Sequence, residues 1–150
     1  MKKIVALIVL LASIYWLNQY SNASSNPVAV QSNQTAQTAH TLSTITHAYQ
    51  QQLSNVAVEG YGQVIKVLTD DNTGSRHQKF LLKLSTSQTI LIAHNIDVAP
   101  RIENIQSGDI VYFKGEYEWN PKGGVVHWTH HDPQGTHAGG WLELNGKRYQ

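Results

Sequence analysis

Cysteine is absent from the 150 residues, which excludes disulfides, thiolate zinc sites, cysteine nucleophiles and a lipid-modified leader. Net charge is nearly absent as well. With 11 basic and 10 acidic residues the formal balance is +1, so bulk attraction to a polyanion is excluded and any basic patch has to be local. The apolar run near the N-terminus, Ile4–Leu17, has 14 residues interrupted only by Ser13, short of the ~20 that span a bilayer as a helix. Charge is missing altogether from Ser24–Asn55, a stretch rich in Ser, Gln, Asn, Thr and Ala.

These absences divide the chain. Lys2 and Lys3 precede the apolar run, and Ser21-Asn22-Ala23 follows it with small residues where a signal peptidase reads. That order predicts a signal peptide over 1–23, and a periplasmic or secreted protein with no stable membrane span after cleavage. An uncleaved anchor, with Tyr15 and Trp16 at the interface, is the alternative. Cleavage would remove two lysines and tip the balance to −1. Residues 24–39 read as a flexible linker. Residues 40–55 predict a short helix, because Leu42, Ile45, Tyr49 and Leu53 recur at spacings of three and four and line one face; His40 and His47 fall on its solvated side.

Every charged residue beyond the leader lies in 56–150, and that region reads as strands. Val56–Leu68 carries Gly60 and Gly62, which mark a bulge or bend. Asp70-Asp71-Asn72-Thr73-Gly74 is a turn. Gln78–Ser85 and Gln88–Ala93 follow as strands, and Ile96–Gln106, with Pro100, reads as a loop with one helical turn. Gly108-Asp109 opens a fourth strand, Ile110–Trp119. The turn Asn120–Gly124 returns the chain as a fifth, Gly124–His131, in a hairpin, and Trp141–Leu144 with Lys147–Tyr149 suggests a last short hairpin. The expected fold is all-β with a small α contribution: a five-stranded OB-fold-like barrel.

What is abundant is imidazole. His127, His130, His131 and His137 place four of the eight histidines within eleven residues, with Asp132, Trp128 and Trp141 among or beside them. Histidine titrates near neutrality and is the commonest metal ligand. Strict strand alternation would put His127, Thr129 and His131 on one face and Trp128, His130 and Asp132 on the other. A second cluster, His94–Arg101, is expected to supply the other half of a site. Candidate catalytic residues are His94, Asp97, Arg101, Glu116, His127, His130, His131 and Asp132. Asp132 would orient an imidazole, Arg101 would clamp a phosphate, and Glu116 would support His127 or His130 across the hairpin. An Asp97–Arg101 ion pair bracing the loop is the alternative use of those two residues. Candidate substrate-binding residues are Arg76, His77, Lys79, Asn95, Lys114 and His137, with Trp119, Trp128 and Trp141 as stacking rings. Neither HExxH nor a close HxH pair occurs. A divalent cation, should the chemistry use one, is expected on His131, His137 and either His94 or His77. Glu116 and Glu118 share one side of a strand, which suits glycoside hydrolysis poorly because glycosidase carboxylates flank the bond.

RHQKFLLKL, LIAHNIDVAPRI, GDIVYFKGEYEWNPKGGVVHWTHHDPQGTHAGGW and NGKRYQ occur in order across 56–150, and this stretch resembles domain-of-unknown-function family 3465, a family of short exported bacterial proteins. The resemblance implies export and a fold rather than an activity. Val64-Ile65-Lys66-Val67 also resembles the opening strand of thermonuclease-type OB nucleases, but their carboxylate and arginine pattern is not evident, so no calcium site carries over. Acid–base residues outnumber plain stacking residues, and on that ground the expected function is a nuclease, a phosphodiester hydrolase acting on DNA rather than RNA. A non-catalytic OB module binding nucleic acid or glycan, and a periplasmic metal-binding protein, are the alternatives.

Overall fold

The computed structural model describes residues 44–132 and 134–150. The leader and linker expected over 1–39 lie outside the described residues, as does Leu42. A helix, α1, covers 44–50. Seven strands follow: β1 Val56–Val67, β2 His77–Lys83, β3 Thr89–Asn95, β4 Ile110–Glu118, β5 Val125–His127, β6 Trp141–Leu144 and β7 Lys147–Tyr149. Among the described residues no helix is long and apolar enough to cross a membrane.

The strands pair in the order β1-β2-β3-β5-β4, and β1 returns to β4, which closes a five-stranded barrel with the β6–β7 hairpin added to the edge of β4. All barrel pairings are antiparallel except β3 with β5. This is the OB-like topology expected from the strand pattern. The long first strand serves two neighbours: Val56–Gln63 pair with β4 and Gln63–Val67 with β2, with the register shifting between Val64 and Lys66. The irregularity sits at Ile65, a few residues beyond Gly60 and Gly62, both of which stay in register with β4.

Alternation sorts inside from outside. Gln78, Phe80 and Leu82 of β2, Ile90, Ile92 and His94 of β3, and Val111, Phe113 and Tyr117 of β4 are buried. From α1, Ile45 and Ala48 join this core and Tyr49 packs at its edge. Leu53, the last residue of the expected stripe, is 41% exposed instead. The helix has ended before it: Gln52 takes a left-handed φ of 55°, and the Leu53 amide turns back to the Ala48 carbonyl at 2.8 Å, a Schellman-type cap.

Ile96–Gln106 is a loop, and at its start the Ala99 amide closes one helical turn on the Asn95 carbonyl at 3.2 Å. One expectation changes here. The fifth strand is three residues long, because Trp128 adopts φ 52°. A left-handed residue breaks strand alternation, so the division of residues 127–132 between two faces does not hold.

Candidate metal centre

Strand β4 points Lys114, Glu116 and Glu118 outward, since Gly115 and Tyr117 between them are buried. Strand β5 lies antiparallel beside it, pairing Glu116 with His127 and Glu118 with Val125. His127 therefore meets both carboxylates: its Nε2 is 3.8 Å from Glu116 Oε1 and 3.8 Å from Glu118 Oε1. That nitrogen is buried and has no hydrogen-bond partner. Leaving a buried polar atom unsatisfied costs about 1–3 kcal/mol, so the arrangement calls for a partner.

A cation is the partner the donor set fits. One atom from each of Glu116, Glu118 and His127 lies within 4.8 Å of the other two. Ligands about 2.1 Å from a metal sit roughly 3.0–3.5 Å apart in tetrahedral or octahedral arrangements, so small side-chain rotations would close the set. Burial pushes the His127 pKa below the ordinary histidine value, against the opposing pull of Glu118 and Glu116. Neutral imidazole is the form that ligates a metal. Two carboxylates and one imidazole are hard-to-borderline ligands suited to zinc or manganese, and three protein ligands leave positions open for water or substrate.

The end of β5 reaches this position because two glycines permit close approach. A Cβ on Gly115 would lie 2.3 Å from the His127 carbonyl oxygen, and one on Gly140 would lie 2.1 Å from the Trp128 carbonyl oxygen. Past β5 the rings stack against one another. Trp128 lies on His137 at 4.1 Å between centroids, near His127 at 5.1 Å, and edge-on to His130 at 5.8 Å. His130 is almost fully buried, its Nδ1 donating to the His131 carbonyl at 2.8 Å. His131 itself is exposed.

Asp132 orients no imidazole by hydrogen bond. Its carboxylate instead accepts from the amides of Gln134, Thr136 and His137 and from the Thr136 hydroxyl. The His137 amide first, and then the other donors, hold its pKa well below the usual carboxylate range. His137 Nε2 stands 3.7 Å from Asp132 Oδ2, while its Nδ1 donates to the Ala138 carbonyl at 2.9 Å.

His94 faces inward. It is fully buried; its Nε2 donates to the Pro100 carbonyl at 3.1 Å, and the Thr129 hydroxyl pairs with Nδ1 at 2.9 Å. Desolvation lowers its pKa to about 4, so it is neutral with both nitrogens committed. It does meet the 127–131 segment, as the sequence suggested, but from the core side. Its register partner Gln78 is also buried, bonding both the Ile102 carbonyl and amide, and the two together pin the loop after β3.

Three of the four lysines and arginines of the expected site are neutralised by carboxylates, and among the described residues Lys114 is in no ion pair. Arg101 pairs with Asp70, Arg76 with Asp97 at 2.7 Å, and Lys79 with Asp71 at 3.5 Å. The Arg76 amide, donating to Asp97, does most to lower that carboxyl's pKa. Asn95 accepts from the Asp97 amide, and His77 Nδ1 donates to the Ser75 carbonyl. Neither a free Arg101 clamp nor an Asp97–Arg101 pair forms. Trp119 packs against the core with its indole N–H on the Tyr49 carbonyl, and Trp141 carries the Arg148 guanidinium 4.1 Å over its ring. Among the described residues, the group whose ligand atoms converge is Glu116, Glu118 and His127, rather than His131 and His137 with His94 or His77. Glu118 is the member that sequence reasoning left out, although its two-residue spacing from Glu116 and the hairpin to His127 were both visible.

A family model described as "Protein of unknown function (DUF3465)" matches residues 28–150. The chain belongs to this family. No curated protein matches it. The match includes α1, the whole barrel and the added hairpin of this DUF3465 member, so the Glu116–Glu118–His127 cluster lies inside the family's region.

Proposed function

We propose that this protein is a divalent-cation-dependent phosphodiester hydrolase acting on nucleic acid, DNA by preference, outside the cytoplasm. The observation that carries the reading is the buried, unpartnered Nε2 of His127 between two carboxylates. A cation held there supplies Lewis-acid polarisation of a phosphoryl oxygen and a bound water of lowered pKa.

The chain's own residues do the rest. Glu116 and Glu118 hold negative charge on a rigid strand, and neutral His127 completes the set without adding a repelling proton. The Trp128 ring, stacked on His137, lies 5.1 Å from the His127 ring. Local charge favours this metal-dependent form over a metal-free imidazole mechanism. His94 has no free nitrogen, and Arg76, Lys79 and Arg101 are already paired. A polyanion would therefore be recruited through the cation rather than through a basic patch. The leader pattern of residues 1–23 supports export.

The test is plasmid nicking by the metal-stripped protein, read with and without added Mn²⁺ or Zn²⁺. Activity is expected only with cation, abolished by EDTA and lowered about 10²-fold or more in His127→Ala and Glu116→Gln, the scale of loss when catalytic machinery is removed. Undiminished nicking in EDTA would overturn the metal-dependent reading. Tight metal uptake with DNA and RNA left uncut would leave a metal-binding protein in its place.

A further inference from the structure

Beside the cluster opens a cleft of about 320 Å³, lined by Ala57 and Glu59 of β1, Lys114 and Glu116 of β4, and Gly139 of the loop before β6. That volume lies at the lower end of small-molecule sites, about 300–1,000 Å³. Glu116 belongs to both the cleft and the metal cluster, so an occupant of the cleft would lie next to a cation held there.

Lys114 distinguishes this cleft from an incidental hollow. It is half-buried, yet among the described residues it takes part in none of the ion pairs that occupy Arg76, Lys79, Arg101 and Arg148. Its register partner across the strands is Glu59, which also lines the cleft. An ammonium and a cation site at one end select an anion. A carboxylate next to them accepts from hydroxyl donors and repels a second negative charge.

We propose that the cleft binds a phosphorylated sugar unit. Its phosphate would be held between Lys114 and the cation of the Glu116–Glu118–His127 centre, with its hydroxyls toward Glu59. Such a unit comes either as a free nucleotide or as the phosphorylated end of a nucleic-acid chain. This inference rests on the metal-centre reading and adds to it the chemical class of the ligand and the residue that selects it.

Calorimetry on the full chain loaded with Mn²⁺ tests it, using inorganic phosphate, a deoxynucleoside monophosphate, and a short single-stranded oligonucleotide with or without a terminal phosphate. The monophosphate is expected to bind more tightly than inorganic phosphate. Lys114→Gln should weaken it at least tenfold with Mn²⁺ affinity unchanged, Lys114→Arg should restore part of the loss, and Lys66→Gln, an exposed lysine on β1, should change nothing. Competition by the end-phosphorylated oligonucleotide alone identifies a chain end as the source, and failure of both oligonucleotides to compete identifies the free nucleotide. Equal binding by Lys114→Gln, or inorganic phosphate binding as tightly as the monophosphate, overturns the proposal. Saturable Mn²⁺ uptake with no monophosphate binding removes this inference and leaves the metal centre standing. Absence of Mn²⁺ uptake removes both.

Discussion

His94 shows how a residue type that signals chemistry in a sequence can serve the core instead. Both ring nitrogens are bonded and the side chain is sealed at the end of β3, which ties the loop through Pro100 to the segment through Thr129. Its pKa is lowered from 6.5 to about 4 by desolvation. Between those values the unfolded chain holds a proton at this site that the folded chain does not, so stability is full above pH 6.5 and falls as pH drops toward 4. The shift corresponds to about 3 kcal/mol. Urea denaturation at steps of pH through this window should show that loss, and His94→Leu, less stable at neutral pH, should show a flatter dependence. An unchanged slope in the variant would assign the pH dependence to other groups. The lesson for sequence reading is physical. A histidine with two good hydrogen-bond partners inside a barrel and one aimed at a metal look the same in a string of letters, and only the partners, here 6 and 35 positions away, separate them.

Among the elements, β5 and the loop after it decide what the histidine-rich segment can do. Reading it as an extended strand assumed alternation through His131, but Trp128 in the left-handed region stops the strand at His127. The hairpin itself was legible from the Asn120–Gly124 turn, and with it a Glu116 contact to His127 or His130, which the register assigns to His127. The loop that follows is organised by Asp132, which gathers three amides and a hydroxyl onto one carboxylate. That role resembles a helix cap, where losing the acceptor costs about 0.5–2 kcal/mol. Asp132→Ala should therefore raise hydrogen exchange in residues 134–138 while leaving the β1–β4 amides protected. If exchange rises equally throughout the barrel, the carboxylate holds more than its loop. The opposite case is α1, where a spacing of three and four residues was enough to place Ile45 in the core and Tyr49 against it.

Across the whole molecule, the barrel was readable because its order depends on local signals: alternating apolar residues, a glycine-bearing first strand and Asp/Asn/Gly turns. The site was readable only in part. Its ligands come from one hairpin, whereas the partners of Arg76 and Arg101 come from loops 21 and 31 positions away, which no periodicity reveals. With those cations neutralised, the convergent group among the described residues is Glu116, Glu118 and His127, in which His127 Nε2 is unsatisfied and Glu118 also accepts from the Asn55 amide. The most direct measurement is an EPR titration of metal-stripped protein with Mn²⁺. One saturable site per chain is expected. It should be lost in His127→Ala, weakened at least 10-fold in Glu118→Gln, since even outer-sphere changes cost 10–100-fold, and retained in His131→Ala. Absence of a saturable site, or equal affinity in His127→Ala, would contradict the metal centre.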